Sequence, residues 1–326
     1  MKALRPVKIS GLSTYVPPKV LSNADLEKLV ETSNEWILQR TGIRERHIAD
    51  PGVATSDLAK EAALGAIQQA GISPDQLGFI VVGTTTPDTI FPSTACMLQH
   101  KIGAHRAWGY DLGAACSGFT YAVTAGMQLV ATGAHDHVLA VGADVMSSII
   151  DYTDRTTCVL FGDGAGAVVL EAQPQHGTNK DRGILASRLR SDGRFEDLLY
   201  VDGGPGSTRT TGHLRMNGRE VFRHAVQKIS GVIEETLVMS GFAADEIDLF
   251  IPHQANARIL DGIAKKLGVS PEKIVVTLGQ HGNTSAASIP LALNHAFEHH
   301  LIKEGSLILM EAMGGGFTWG AALARW

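Results

Sequence analysis

Short apolar runs recur along the 326-residue chain, bounded by glycine, proline or acidic turns. FIVVGTT (79–85), HVLAVGA (137–143), GAVVLEA (166–172), DLFIPH (248–253), KIVVTL (273–278) and SLILMEA (306–312) are largely apolar at consecutive positions, with no strict alternation. That pattern predicts strands covered on both faces by helices. Between them, TSDLAKEAALGAIQQAG and GREVFRHAVQKISGVIEETLVMSG carry apolar residues at helical spacing, and TYAVTAGMQLVATG reads as a further helix. Alternation of the two patterns predicts an α/β fold.

The chain also resembles itself. GISPDQLGFIVVG (71–83) matches GFAADEIDLFIPH (241–253), LGAACSG (112–118) matches LGQHGNT (278–284), and GAVVLEA (166–172) matches GAALARW (320–326). Matching pairs in the same order predict a duplicated α/β unit with halves 1–175 and 176–326. The polar, turn-rich QPQHGTNKDRG lies at the junction. Residues 191–218, rich in glycine and charge, read as a surface excursion that forms a lid or wall over a site.

Composition narrows the function class. With 44% hydrophobic and 19% charged residues the chain is globular, and a net charge of −5 argues against general nucleic-acid binding. No apolar stretch approaches the length of a membrane span, and the N-terminus lacks a signal-peptide pattern. The three cysteines, Cys96, Cys116 and Cys158, form no CxxC, so neither a disulfide framework nor a zinc knuckle is expected, and a reducing cytoplasm fits.

Cys116 stands out within DLGAACSGF, between an apolar segment and a helix. A strand–turn–helix corner of small residues exposes a side chain, and free amides at a helix N-terminus favour the thiolate. The alternative is a buried, inert cysteine, the usual state of a free thiol. His253 closes the strand in PHQANARI, where sites gather in parallel α/β sheets. Asn283, in GQHGNTSAAS, falls within one residue of the Cys116 position when the repeats are overlaid. If the halves face each other, cysteine, histidine and asparagine converge. His281 in the same loop competes with His253 for the role. GDGAGAV (162–168) leads into a strand rather than a helix, so it is no dinucleotide fingerprint. GGGFTWG (314–320) reads as a strand–turn–strand hairpin whose bare amides suit an oxyanion.

Taken with NEWILQRTGIRERHI, DRTTCVLFGDGAGA, MNGREVF and GQHGNTSAASIPLAL, these motifs run nearly end to end. Through them the chain resembles the β-ketoacyl-[acyl-carrier-protein] synthases III, the initiating condensing enzymes of fatty-acid synthesis. The resemblance implies a thiolase fold, with duplicated βαβαβ halves in a five-layered αβαβα arrangement, working as a homodimer. It implies a ping-pong reaction with an acyl-CoA primer, acetyl-CoA first among them, and malonyl-acyl-carrier protein, with no cofactor or metal. Cys116 is the implied nucleophile, with His253 and Asn283 as donors to an enolate and the amides of Cys116 and Gly315 as an oxyanion hole. A Cys-His-Asn set is similar to that of the initiating enzymes; the elongating synthases use two histidines.

Further residues are carried over in the same way. Trp36 and Arg155 match residues that sandwich the adenine of CoA, with Thr32 and Arg40 nearby; packing of Trp36 and a solvated Arg155 are the alternative. Met216, Gly218, Ala255 and Asn256 match the pantetheine tunnel, and Phe91 a residue that closes the partner's acyl pocket. Arg258, Lys265 and Lys266 on one helix, and Arg219 and Arg223 on another, are expected to receive the acidic carrier protein; an ordinary solvated face is the alternative. One position departs from the pattern: Met313 stands where the family commonly has phenylalanine, beside the malonyl pocket. Other functions weighed are a related synthase with a longer or branched primer in secondary metabolism, a non-catalytic thiolase-fold binder and a redox thiol. The intact Cys-His-Asn set argues against the binder, and the lack of a resolving cysteine against the redox thiol.

Overall fold

The computed structural model describes residues 4–173 and 182–326. The expected boundary at 175/176, with most of QPQHGTNKDRG, lies outside the described residues. Strands β1 (Val7–Tyr15), β2 (Phe79–Gly83), β3 (Trp108–Leu112), β4 (His137–Asp144) and β5 (Gly164–Ala172) form one sheet in the order β1-β5-β4-β2-β3. Strands β6 (Gly183–Ser191), β7 (Leu249–Pro252), β8 (Leu307–Gly314) and β9 (Thr318–Arg325) form another in the order β7-β8-β9-β6. Both sheets share one plan. A parallel pair, β2 with β4 or β7 with β8, is extended by two antiparallel strands. The registers correspond too: Ile80 lies opposite Leu139, and Phe250 opposite Leu309.

Six of the helices each fill a layer position because of what their faces carry. Helix α1 (Asn34–Thr41) lies apart, near the cavity described below. Helices α2 (Thr55–Ala70) and α3 (Thr94–Lys101) bury Leu58, Ala62 and Leu98 on the outer face of the first sheet. Helices α5 (Gly218–Ser240) and α6 (Ala257–Leu267) bury Ile229, Val232 and Ile263 on the outer face of the second. Between the sheets lie α4 (Gly118–Ala131) and α7 (Ser288–Glu298). There Phe119, Val123, Ile289 and Leu293 share a core with Val81 and Ile251. The result is the αβαβα sandwich expected from the sequence. Small residues let the layers close: a Cβ on Gly142 would lie 2.2 Å from the Ala286 carbonyl oxygen.

Two sequence readings change. KIVVTL is not a strand. Only Ile274 bridges Phe250, and the segment runs from a 3-10 turn at Pro271–Lys273 into a short helix at Leu278–His281. The Val275 amide donates to the Phe250 carbonyl at 2.9 Å, and beyond it one side chain meets the polar backbone. Gln254 donates to the Val275 carbonyl (3.1 Å) and accepts from the amides of Thr277 (2.8 Å) and Leu278 (3.1 Å). The repeat overlay changes as well. Ala115 (φ 46°) and Ser285 (φ 52°) are the matching corners, each leading through a 3-10 turn into a central helix. Cys116 therefore corresponds to Ala286, and Asn283 lies in the segment that precedes the second corner.

Candidate active site

A cavity of about 1320 Å³ opens where the two halves meet. Cys116, His253 and Asn283 all line it, and His281 does not. Cys116 sits in the 3-10 turn Ala115–Ser117 that runs directly into α4. The expected exposed corner is instead recessed: the cysteine is only 7% exposed. Burial pushes its thiol up to about 12; a Ser285 contact and its own amide pull the other way, and the Asp144 charge adds to the rise. The resting form is the thiol, because desolvation outweighs the helix end that the sequence pattern brought forward. Across the corner lies Gly314, where a Cβ would be 2.5 Å from the Cys116 nitrogen. A side chain there would cover that amide.

His253 follows β7 and its amide donates to the Glu311 carbonyl at 2.8 Å, continuing the sheet ladder for one residue. Its Nδ1 lies 2.5 Å from the Ser288 hydroxyl. Burial lowers the imidazole to about 3, so the ring is neutral at physiological pH. Asn283 bridges Phe161 and is oriented by its own loop: Oδ1 accepts from the Ser285 amide at 2.9 Å. Its NH₂ end is thereby the group left for a ligand.

The cavity wall carries Arg40, Trp36, Met216, Gly218, Ala255, Asn256, Met313 and Gly315, with Arg219 and Arg258. Residues 199–216 of the expected excursion form a two-stranded hairpin, and Leu199 and Leu214 from it line the cavity, so it acts as a wall. Arg40 and Arg155 hold their guanidinium carbons 5.0 and 5.3 Å from the Trp36 ring centre. Arg155 donates to the Glu31 carbonyl and, like Thr32, does not line the cavity. The Thr32 hydroxyl is buried without a partner. Lys265 and Lys266 are exposed in the last turn of α6, and Arg223 pairs with Glu220; none of the three lines the cavity. Phe91 is 83% exposed, beside Ile90, and lies outside this chain's own cavity.

Three groups at the site escape pattern reading. Asp144 is fully buried; its Oδ1 accepts from the Thr84 and Thr86 hydroxyls, and its Oδ2 from the Ala286 amide of the other half. Glu311 lines the cavity, yet both carboxyl oxygens are covered and unpaired, and burial raises it to about 8. Ser288 was visible only as one small residue in a run of them.

Comparison with known proteins identifies the family. Residues 110–193 match the profile described as 3-oxoacyl-[acyl-carrier-protein (ACP)] synthase III, and residues 237–326 the one for its C terminal part. The β-ketoacyl-[acyl-carrier-protein] synthase III of Chelativorans sp. (strain BNC1) is 54% identical over 318 residues, 98% of each chain. The chain belongs to the 3-oxoacyl-[acyl-carrier-protein] synthase III family. Members of this family are acyltransferases of the thiolase fold. The family's structure from Aquifex aeolicus VF5 superposes with a TM-score of 0.92 at 45% identity, covering 98% of this chain and 100% of that one. The priming β-ketosynthase of the R1128 polyketide pathway superposes at 0.93 with only 31% identity, over 100% and 97%. The matched segments hold Cys116 in the first and His253 and Asn283 in the second.

Proposed function

We propose that the protein condenses an acyl-CoA primer, acetyl-CoA first among them, with malonyl-acyl-carrier protein and so initiates fatty-acid synthesis. The observation that carries this reading is the convergence of Cys116, His253 and Asn283 on one cavity. Cys116 Sγ attacks the thioester carbonyl; the tetrahedral oxyanion is held by the amides of Cys116 and Gly315. The thiol proton passes to the departing CoA sulfur. Covalent capture divides one transfer into two easier ones. Malonyl-carrier protein then enters. Its bond to the carboxylate breaks, carbon dioxide leaves, and the electron pair moves onto the thioester oxygen. His253 Nε2–H and the Asn283 NH₂ hold that enolate. The enolate carbon attacks the acyl carbonyl, the C–S bond breaks, and the Cys116 thiolate takes a proton from solvent. Loss of either donor is expected to cost the condensing step about 10²–10³-fold.

Trp36, Arg40, Thr32 and Arg155 hold the adenine end of CoA, with Arg155 moving off the Trp36 face to admit it. Met216, Gly218, Ala255 and Asn256 line the path of the pantetheine arm, and Met313 shapes the malonyl pocket. Arg219, Arg223, Arg258, Lys265 and Lys266 receive the carrier protein. The chain works in the cytoplasm as a homodimer of two-halved subunits, divided near residue 175, in which Phe91 closes the partner's acyl pocket. Exposed Ile90, Phe91, Trp108 and Tyr110 support the dimer. The test is intact mass after mixing with acetyl-CoA, beside Cys116→Ala. An acetyl adduct on the wild type alone is expected. No adduct from acetyl-, branched or longer acyl-CoAs, or an adduct that persists in Cys116→Ala, overturns the nucleophile. Loading only by a longer or branched acyl-CoA would move the primer and not the chemistry.

A further inference from the structure

His253 can donate to an enolate only if its single proton sits on Nε2. A neutral imidazole has two tautomers, and the hydrogen bond at one nitrogen decides the state of the other. The Ser288 oxygen lies 2.5 Å from His253 Nδ1 and 3.3 Å from the Gln254 nitrogen. The Gln254 N–H can only donate, so the serine oxygen accepts there. The hydroxyl keeps one proton of its own to place, and Ser288 is 1% exposed. Among the described residues, Nδ1 is the one acceptor in reach of it. The carbonyl of Thr284, one helical turn back, accepts from the Ala287 amide and makes no bond to the Ser288 hydroxyl. Were Nδ1 to carry the proton instead, the serine oxygen would accept twice and leave its own O–H buried and unpaired, which costs about 1–3 kcal/mol.

We propose that Ser288 is a positioning residue of the condensing step: its hydroxyl donates to His253 Nδ1 and thereby fixes the imidazole proton on Nε2, facing the enolate oxygen. This rests on the donor role given to His253 above. Ser288 touches no reacting atom. It opens α7, the central helix of the second half, so the tautomer is set from the buried middle layer of the fold. The Gln254 amide completes the chain. Gln254 is itself clamped by the Val275, Thr277 and Leu278 backbone, so the serine oxygen is oriented from behind.

The test combines a spectroscopic and a kinetic readout. Long-range ¹H–¹⁵N spectra of histidine-labelled protein, with the His253 signals assigned by their loss in His253→Ala, are expected to show Nε2 protonated and Nδ1 as a hydrogen-bonded acceptor. Ser288→Ala should move the Nδ1 resonance to that of an unbonded nitrogen. It should slow malonyl decarboxylation by about tenfold or more, in kcat rather than KM, with Ser288→Thr recovering most of the rate. Acetyl loading on Cys116 should be unchanged, which separates this proposal from the nucleophile assignment. A wild-type spectrum with the proton on Nδ1 overturns the proposal. So does wild-type decarboxylation by a folded Ser288→Ala, or loss of loading and condensation together in that variant. Failure of wild-type loading would strike the proposed function and leave the tautomer readout standing.

Discussion

At the scale of single residues, burial sets the chemistry. Cys116, His253 and Glu311 all sit against the same cavity, and desolvation displaces each toward its neutral form. Glu311 gives the cleanest prediction. Its carboxyl titrates near 8 when folded against 4.5 when free, so the folded state holds a proton that the unfolded chain releases. Stability is therefore lost as pH rises from about 4.5 to about 8, by on the order of a few kcal/mol. Glu311→Gln should match the wild type in melting temperature below pH 4.5, gain on it through that window, and hold a constant lead above pH 8. A lead independent of pH would refute the titration. His253 works in the opposite sense: burial depresses it from 6.5 to about 3, so its contribution is lost as pH falls through that range. Cys116, His253 and Asn283 were legible in the sequence because each sits in a short motif at an element end. Ser288, Asp144 and Glu311 were not, because their roles depend on partners far along the chain.

At the scale of elements, five of the six apolar runs are strands; β1, β3 and β6 were not among the runs, because each is only partly buried along its length. KIVVTL fails because, after a single bridge to Phe250, its backbone is met by a side chain. An apolar run reports burial, and it is silent on whether a ladder or an amide such as Gln254 satisfies the main chain. Gln254→Leu should keep the volume and strand the amides of Thr277 and Leu278. A loss of roughly 2–4 kcal/mol is expected in denaturant unfolding. A change below 0.5 kcal/mol would show that the segment finds other partners. The helices were easier, since amphipathic α5 and uncharged, largely apolar α4 announce an outer and a central layer.

At the scale of the whole molecule, the cavity floor and the outer helices are separable. Arg258 is exposed at the start of α6 and also lines the cavity, while Cys116 is buried against the cavity between the halves. Arg258→Glu should raise the KM for malonyl-carrier protein by about tenfold or more and leave acetyl loading from CoA near wild type. Equal loss in both half-reactions would argue against docking there. The two-sheet plan also holds a lesson in divergence. By the shared register, Asp144 at the end of β4 and Gly314 at the end of β8 are the same position in the two copies. In one copy the aspartate ties down the Ala286 amide; in the other the glycine leaves the Cys116 amide uncovered. The twin corners thus diverge into a latch on one side and an open chamber wall on the other.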